Sequence, residues 1–283
     1  MTGAMILAAG YGTRLQPYTL TRPKALVEVN GRPMIDYAIH RLKAAGVRRM
    51  VVNVHHFADQ IVDYLSRYPD PDLAFWISDE TDFLYDTGGG LRKALLGDSV
   101  YPLRDTPSGS RPLSEGPFFV YNADIWCDTD LRALYGAHVA SHALATLAVK
   151  HRRTSRALLI APDGSLCGWR HLGTGEEKIS RTASGEALSG PLPVCTPQHT
   201  SLSDGLEPVA FSGIQVVSPE ILSDMTETGA FSITDFYLQI CASRRVQTLP
   251  DDRCLWVDMG NAATLDSAAR LIAGQEPQSR LPM

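Results

Sequence analysis

The sequence has no paired cysteines, no cluster of basic residues and no long apolar run, and each absence excludes a class of protein. Its five cysteines never form a C-x-x-C pair, so we expect neither a disulfide framework nor a zinc site, as in a protein of the reducing cytoplasm. The net charge of -5 and the lack of clustered Lys and Arg argue against a nucleic-acid partner. The apolar run at residues 5–9 is too short for a membrane span or a signal peptide, so we expect no membrane partner.

The order of apolar segments predicts an α/β fold. Segments typical of buried strands alternate with segments of helical spacing over about residues 1–150, which favours an open, mainly parallel, Rossmann-like sheet with helices on both faces. The predicted strands are residues 5–9, 49–54, 73–78, 118–121 and 144–149. The predicted helices are residues 33–45, 57–67, about 89–96 and 130–141.

The pattern changes near residue 151, where we predict a smaller, partly antiparallel lobe. Residues 157–161 and 166–169 flank the turn signal Pro162-Asp163-Gly164 and predict a hairpin. Residues of about 173–207 are rich in Gly, Ser, Thr and Pro and predict a long loop. Strands at 208–217 and 254–257 and helices at 233–242 and 262–273 complete the prediction. We therefore expect one domain over residues 1–274, with halves at about 1–150 and 151–274, and a frayed tail at 275–283.

Two glycines follow the first predicted strand, where open α/β sheets bind ligands. Backbone N–H groups of such glycines can approach anionic oxygens. The G-x-G-x-x-G fingerprint of NAD enzymes fails because Leu15 occupies its third glycine, and no P-loop motif is present. Arg14 and Lys24 add two cations beside Gly10 and Gly12, which indicates more phosphate than one backbone loop can neutralise.

Residues 7–24 make this indication specific. They read LAAGYGTRLQPYTLTRPK, which resembles the signature L-x-A-G-x-G-T-R-L-x-P-x-T-x-x-x-P-K of the sugar-1-phosphate nucleotidyltransferases and fills every fixed position. The resemblance continues from about residue 5 to residue 272, through NGRP at 30–33, DTGGG at 86–90, NAD at 122–124, FSGI at 211–214 and VDMG at 257–260. It implies an enzyme that transfers a nucleotidyl group from a nucleoside triphosphate to a sugar 1-phosphate and releases pyrophosphate.

The resemblance also implies roles for individual residues. It gives catalytic roles to Arg14 and Lys24, sugar contacts to Asn122 and Gly213, and a Mg²⁺ ion to Asp124 and Asp258. The nucleotide contacts that it implies are Ala8, Ala9, Gly10, Gly12, Thr13, Asn53, Thr87 and Gly88. Each of the two aspartates follows a predicted strand, and if both strands join the sheet as the resemblance implies, both carboxylates lie at its carboxyl edge beside the glycines. Mg²⁺ takes one or two carboxylates together with water and substrate oxygens.

The substrates are less closely defined. The chain has Glu177-Lys178-Ile179 where many family members have Glu-Lys-Pro, and its short length and FSGI segment look most like the N-acetylmuramate 1-phosphate uridylyltransferases of peptidoglycan recycling. That likeness implies UTP, and it implies that Arg152, Arg153 or Arg156 meets the lactyl carboxylate of the muramate. Mannose-1-phosphate guanylyltransferase and glucose-1-phosphate uridylyl- or thymidylyltransferase remain alternatives.

A binding protein without activity and an oxidoreductase are the alternatives from other functional classes. A non-catalytic sugar-nucleotide binding protein would not need Arg14, Lys24, Asp124 and Asp258 together. An NAD-dependent oxidoreductase would need an acidic residue after the second strand, where Asn53 stands. We expect His55 and His56 to be a partly buried pair at the end of that strand and not metal ligands. A monomer or small homo-oligomer is expected.

Overall fold

A computed structural model gives the structure of residues 3–104, 112–188, 203–275 and the backbone of 194–195. The strands are Gly3–Leu7 (β1), Glu28–Val29 (β2), Arg32–Pro33 (β3), Arg49–Val54 (β4), Ala74–Asp79 (β5), Val100–Pro102 (β6), Phe118–Asn122 (β7), Ile125–Cys127 (β8), Ala145–Lys150 (β9), Arg156–Ile160 (β10), Leu166–His171 (β11), Glu177–Ile179 (β12), Val194–Cys195 (β13), Glu207–Val217 (β14), Val246–Pro250 (β15) and Trp256–Asp258 (β16). The α-helices are Met34–Ala45 (α1), Ala58–Ser66 (α2), Asp86–Leu96 (α3), Leu131–Ser141 (α4), Ile233–Ile240 (α5) and Leu265–Ala273 (α6). No helix in these ranges is both long enough and apolar enough to span a bilayer.

The central sheet has a parallel half and an antiparallel half. β7, β1, β4 and β5 run parallel and side by side, and β6 closes that edge in the antiparallel direction. β14 pairs antiparallel with β7 and leads to the antiparallel series β10, β11, β12 and β13. β9 pairs with β14 and β15 beside that series. The sheet is therefore mostly parallel where the first half of the chain builds it.

Helices cover both faces of the parallel half. Ala4 and Ile6 of β1 belong to an apolar cluster with α1, α2 and α4, whereas Met5 belongs to a second cluster with α3 and α5. Side chains alternate between the two faces of a strand, so a strand buried on both faces is apolar at every position. This explains the continuous apolar run of β1 and the apolar residues 50–52 of β4, and the architecture confirms the predicted fold class.

Two elements of the first half begin or end away from their predicted bounds. β1 ends at Leu7, so Ala8 and Ala9 lie in the loop that follows it. α3 begins at Asp86, three residues before the predicted start, and includes all three glycines of the DTGGG segment. Glycine disfavours helices, but a Cβ on Gly88 would lie 2.5 Å from the Phe231 ring, so close packing requires glycine there.

The second half has more strands than predicted. The expected loop at residues 173–207 contains β12, β13 and the start of β14, so the prediction of a loop throughout is wrong. β12 pairs with β11, and its Glu177 is buried against Arg170. β15 was not predicted at all. Its sequence, VQTLP, is short and half polar, and its strand conformation depends on pairing with β9. The predicted tail lies outside the described residues, apart from Gln275.

β16 does not join the central sheet, contrary to the expectation for the segment that carries Asp258. It starts at Trp256, two residues after the predicted start at residue 254, and pairs with β8 in a separate two-stranded ribbon. Asp258 is the last residue of β16, and its partner in the ribbon is Ile125, the neighbour of Asp124. The ribbon thus brings the two aspartates together although only Asp124 follows a strand of the central sheet.

Candidate active site

A cavity of about 520 Å³ opens at the carboxyl ends of β1, β4 and β7, and we call it the glycine-loop cavity. Nine of the residues that the sequence predicted to be functional line this cavity: Ala8, Ala9, Gly10, Arg14, Lys24, Asn53, Thr87, Asn122 and Asp124. Leu7, Ala25, Leu84, Asp86, Ala123 and Ala230 complete its lining. The cavity lies where open α/β sheets bind their ligands, because loops diverge there from the strand ends.

The glycine loop, residues 8–13, leaves backbone donors available. Among the described residues, no acceptor is found for the N–H groups of Gly10, Tyr11 and Gly12. Gly12 has a φ of 66°, and a Cβ there would lie 2.8 Å from Cβ of Lys24. The Gly12 carbonyl accepts a hydrogen bond of 2.9 Å from the Thr19 hydroxyl, which connects the loop to the segment that follows it. Successive free N–H groups of this kind suit an anionic oxygen.

Two cations and two carboxylates meet beside this loop. The Lys24 ammonium contacts the Asp124 carboxylate directly. Nη1 of Arg14 donates a hydrogen bond of 3.1 Å to Oδ2 of Asp258, and Nη2 lies 4.0 Å from Oδ2 of Asp124. Arg14 is 58 % exposed, whereas Lys24 and Asp124 are mostly buried. Arg14 therefore joins both aspartates and remains accessible from solvent.

Gly260 makes room for this cluster. A Cβ on Gly260 would lie 2.5 Å from Nζ of Lys24 and would collide with the Asp124 carboxylate. The N–H of Gly260 donates a hydrogen bond of 2.8 Å to Oδ1 of Asp258, and the N–H of Met259 donates one of 2.9 Å to the Asp124 carbonyl. The end of the β8–β16 ribbon thus orients both carboxylates toward one space.

The donor set fits a hard divalent cation. Asp124 and Asp258 offer carboxylate oxygens, the ligands that Mg²⁺ takes in ones or twos while keeping water and substrate oxygens. In the part of the chain that the structure describes, no group of three or more His, Cys, Asp or Glu side chains could hold a metal. Two carboxylates with room for water and substrate oxygens are a donor set that fits Mg²⁺.

The remaining predicted residues lie outside the cavity lining. Thr13 begins a single 3₁₀ turn that includes Arg14. The N–H of Gly88 donates a hydrogen bond of 2.9 Å to the Phe231 carbonyl, so that donor faces the protein and not the cavity. Gly213 has a φ of 75° at a bulge of β14, and a Cβ there would lie 2.9 Å from Nδ2 of Asn122. Gly213 thus gives space to Asn122, which does line the cavity.

Sequence reasoning missed a buried network behind the cavity. Asn53 accepts a hydrogen bond of 2.7 Å from the Ala8 N–H and donates one of 2.8 Å to the fully buried Glu80. Burial raises the pKa of Glu80, an effect that the hydrogen bond from Asn53 opposes. His55 lies between the Glu80 carbonyl at 2.7 Å and the Tyr11 hydroxyl at 3.0 Å. A single polar residue after a strand gives no periodic signal that could have revealed this network.

A second cavity of about 440 Å³ lies against the β10–β11 hairpin, and we call it the hairpin cavity. Its lining residues are Arg156, Leu158, Trp169, His171, Glu176, Lys178, Phe211, Ser232, Thr234 and Asp235. Nδ1 of His171 accepts N–H groups from Gly173 and Thr174 at 3.2 and 3.0 Å, so Nε2 carries the proton in the neutral ring. Ser232 lines this cavity and Ala230 lines the other, so one short segment separates the two.

The three arginines considered for sugar binding occupy different environments. The guanidinium of Arg152 stacks on Trp256, with its Cζ 3.6 Å from the ring centroid, and donates to the Phe211 carbonyl. Burial lowers the pKa of Arg152. Arg153 is exposed and does not line either cavity. Arg156 lines the hairpin cavity, and its guanidinium has no acceptor among the described residues.

Comparison with known proteins gives a family match and similar folds. The family model of the MobA-like NTP transferase domain matches residues 4–191. The N-acetylmuramate alpha-1-phosphate uridylyltransferase of Caulobacter vibrioides is 33 % identical over 272 residues, which are 95 % of this chain and 96 % of that enzyme. A mannose-1-phosphate guanyltransferase of Kluyveromyces lactis is 39 % identical over 137 residues, 48 % of this chain and 34 % of that enzyme. A putative glucose-1-phosphate thymidylyltransferase from Bacillus anthracis, solved in complex with a sucrose, has a TM-score of 0.69 at 16 % identity and covers 99 % of this chain and 98 % of its own.

Proposed function

Because the chain belongs to the MobA-like NTP transferase family and is a sugar-1-phosphate nucleotidyltransferase, we propose that it transfers the uridylyl group of UTP to N-acetylmuramate 1-phosphate. The reaction releases pyrophosphate and forms a UDP-sugar. Similarity to the Caulobacter enzyme over nearly the whole of both chains supports these substrates. The observation that carries the chemistry is the meeting of Arg14, Lys24, Asp124 and Asp258 beside the glycine loop.

The reaction needs charge neutralisation more than proton transfer. An oxygen of the sugar phosphate forms a bond to the α-phosphorus, and the bond from that phosphorus to the pyrophosphate oxygen breaks in line. The attacking phosphate is already an anion near neutral pH, since the second pKa of a phosphate monoester is about 6. No general base is therefore required, and the protein contributes by holding two anions together and stabilising the charge on the leaving group.

The positions of the cations suit that task. Free N–H groups at residues 10–12 would hold the triphosphate, and the exposed Arg14 would stabilise charge as it develops on the pyrophosphate. Lys24, more deeply buried, would bind the phosphate oxygens near the site of attack. Both cations are paired with aspartates in the structure, so polyphosphate would exchange those carboxylate partners for phosphate oxygens.

We propose that Asp124 and Asp258 hold a Mg²⁺ ion. Each presents an oxygen near Arg14, and Gly260, which has no Cβ, leaves room for the Asp124 carboxylate beside Lys24. Bound Mg²⁺ would neutralise phosphate oxygens and polarise the α-phosphorus for substitution. The aspartates would also orient that charge relative to Arg14 and Lys24.

We propose that the hairpin cavity receives the sugar. Trp169 supplies an apolar surface, and His171 supplies an Nε2–H donor for a hydroxyl or acetamido oxygen. Arg156 adds a cation without an acceptor among the described residues, and this suits the lactyl carboxylate that distinguishes a muramate from a glucosamine. Lys178 is less available because it forms an ion pair of 2.7 Å with Asp235.

Guanylyl transfer to mannose 1-phosphate is the second candidate. It is favoured by the identity of 39 % with the Kluyveromyces enzyme, which exceeds the 33 % with the Caulobacter enzyme but covers half as much of the chain. That match covers only 48 % of this chain and 34 % of the Kluyveromyces enzyme. We therefore place guanylyl transfer second.

A substrate panel tests the proposal. The purified protein is assayed with Mg²⁺, with UTP, GTP or dTTP, and with the 1-phosphates of N-acetylmuramate, N-acetylglucosamine, glucose and mannose. Pyrophosphate release and the mass of the nucleotide sugar are both measured, with the R14A variant as a negative control. We expect the highest kcat/KM for UTP with N-acetylmuramate 1-phosphate. Binding of a nucleotide sugar without turnover for any pair would instead indicate a non-catalytic binding protein.

A further inference from the structure

Glu80 is a buried carboxylate that lies behind the wall of the glycine-loop cavity and does not line it. It directly follows β5, and its side chain is completely inaccessible to solvent. Within the described ranges, it forms no ion pair with a Lys, Arg or His side chain. Burying a carboxylate without a cation is costly, so the position requires specific hydrogen bonds. The structure provides two hydrogen bonds to the carboxylate, and a third connects the Glu80 backbone to His55.

The first connection runs to the end of β1. Oε1 of Glu80 accepts a hydrogen bond of 2.8 Å from Nδ2 of Asn53, and Oδ1 of Asn53 accepts one of 2.7 Å from the Ala8 N–H. An asparagine amide has one donating end and one accepting end. Because Glu80 takes the donating end, the accepting end faces Ala8. Glu80 thereby fixes the orientation of a side chain that lines the cavity.

The second connection runs to the start of α3. Oε2 of Glu80 accepts a hydrogen bond of 3.2 Å from the N–H of Tyr85. The next residue, Asp86, has a φ of 58° and begins the helix, and Asp86 and Thr87 line the cavity. A Cβ on Gly90 would lie 2.6 Å from Oε1 of Glu80, so the third glycine of the DTGGG segment makes room for this carboxylate.

The third connection uses the backbone of Glu80 and not its side chain. The Glu80 carbonyl accepts a hydrogen bond of 2.7 Å from Nδ1–H of His55. In the neutral ring Nε2 then accepts from the Tyr11 hydroxyl, 3.0 Å away, in the middle of the glycine loop. Substitution of the Glu80 side chain leaves this link in place, so side-chain variants test the first two connections alone.

We propose that Glu80 is a positioning residue for the nucleoside triphosphate. Its carboxylate holds the Asn53 amide and the start of α3 in the arrangement that binds the nucleotide, and it does so without touching the nucleotide. The identification of the ligand as a nucleoside triphosphate rests on the proposed function. Glu80 acts on binding of the nucleotide and not on the charge cluster of Arg14, Lys24 and the two aspartates.

The test compares E80A, E80Q and N53A with the double variant E80A/N53A. Loss of a buried hydrogen-bond partner leaves Asn53 free to rotate, so we expect E80A to raise the Kd and the KM for UTP about tenfold. We expect kcat and the KM for the sugar phosphate to change less than about twofold. E80Q should have an intermediate effect. The glutamine oxygen can still accept a hydrogen bond from Asn53, but its NH₂ group then faces the Tyr85 N–H, and two donors cannot form a hydrogen bond. E80A/N53A should bind UTP no more weakly than N53A alone.

A matched control separates positioning from folding. Asp36 is another buried carboxylate whose pKa burial raises, but it lies on α1 away from the cavity. We expect D36N to leave the Kd for UTP unchanged even if it lowers the melting temperature. Should E80A fail to fold, E80Q and the E80Q/N53A double variant supply the same comparison.

Calorimetric binding of UTP and GTP keeps this test independent of catalysis. A wild-type protein that binds UTP or GTP but transfers nothing would disprove the proposed function, while the Glu80 variants still report on binding. Equal rises in both KM values, additive effects of E80A and N53A, or an unchanged Kd in E80A would overturn the positioning role. A wild-type protein that binds neither nucleotide would overturn the role together with the nucleotide site.

Discussion

The Arg14 guanidinium donates a hydrogen bond of 3.1 Å to the Asp258 carboxylate, although 244 residues separate the two along the chain. Arg14 also lies 4.0 Å from Asp124, which contacts Lys24. Two positive and two negative side chains thus balance one another at the edge of the glycine-loop cavity. Triphosphate adds negative charge and a divalent cation adds positive charge, so both can enter by exchanging partners within a cluster that is already assembled.

Removal of the Arg14 side chain tests the catalytic part of this cluster. We expect R14A to lower kcat about 100-fold, because a positioned donor to developing charge contributes that much in other enzymes. R14K retains the charge but not the planar fork, so it should recover only part of the loss. Steady-state pyrophosphate release measures both. Arg67, exposed on the surface after α2, provides the control, and an R14A enzyme as active as R67A would contradict the assigned role.

Removal of divalent cations tests the role of the two aspartates. We expect EDTA to abolish transfer and added Mg²⁺ to restore it. D124N and D258N should each raise the Mg²⁺ concentration for half-maximal activity about tenfold or more, since each loses a carboxylate ligand. D72N, which changes an exposed aspartate in a turn, should behave as wild type. A Mg²⁺ dependence that neither active-site variant alters would show that the ion binds elsewhere.

Substitution of Gly260 tests the packing of the cluster without removing a charge. The G260A methyl group would collide with the Asp124 carboxylate and with Lys24, so we expect kcat/KM to fall at least about tenfold. Gly136 provides a matched control, because a Cβ there meets nothing within 4 Å in the exposed part of α4. G136A should retain activity and gain about 0.5–1 kcal/mol of stability as a glycine removed from a helix. Full activity in G260A would show that the two aspartates can separate freely.

Substitution of Arg156 tests the sugar. We expect R156A to lower the preference for N-acetylmuramate 1-phosphate over N-acetylglucosamine 1-phosphate about tenfold, as expected for the loss of one charge-assisted hydrogen bond. The kcat/KM for N-acetylglucosamine 1-phosphate should change little. Arg153, exposed on the loop that precedes β10 and outside the hairpin cavity, provides the control. Unchanged selectivity in R156A would remove Arg156 from the sugar site.

We expect the folded protein to lose stability in acid because of His138. The ring is buried between the Thr146 and Ser218 hydroxyls, and burial lowers its pKa from 6.5 to about 4. Between pH 6.5 and about 4, the His138 ring is therefore mostly protonated in the unfolded chain but mostly neutral in the folded protein. The free energy of unfolding therefore keeps its full value, as far as His138 is concerned, above pH 6.5. It decreases as the pH falls toward 4, by up to about 3 kcal/mol.

Urea denaturation at pH 7 and pH 5 measures this loss. We expect the free energy of unfolding of H138Q to fall about 2 kcal/mol less between those pH values than that of wild type. H138Q should also be less stable at pH 7, because it loses well-placed hydrogen bonds. His142 is exposed with a φ of 51°, a conformation that asparagine tolerates, so H142N is a suitable control. Equal pH dependence of H138Q and wild type would contradict the assignment.

The parallel half of the fold was predictable because its strands are buried on both faces. Mostly apolar segments such as β4, where Met50, Val51 and Val52 are consecutive, indicate such strands directly, and the predicted bounds of β4 match the structure. β12 and β15 were missed because short, partly polar strands acquire their conformation from the neighbours with which they pair. Sequence patterns report burial on a regular element, but they do not report pairing between distant segments.

The candidate site was predictable in its residues but not in its construction. Arg14 and Lys24 belong to the continuous signature at residues 7–24, and Asp124 belongs to the separate NAD motif at residues 122–124. The route by which Asp258 reaches them could not be inferred, because it depends on β16 leaving the central sheet and pairing with β8. Glu80 gave no signal either, since a buried carboxylate is recognised by its partners and not by its position in a pattern.

The β8–β16 ribbon has a consequence for synthesis of the protein. Arg14, Lys24 and Asp124 emerge from the ribosome early, but Asp258 and Gly260 follow more than a hundred residues later. A nascent chain that has folded its parallel half therefore holds one aspartate and two cations without the second aspartate. Competence for metal and triphosphate would arrive only once residues 256–260 have been made and have paired with β8, so the parallel half alone would not form a working centre.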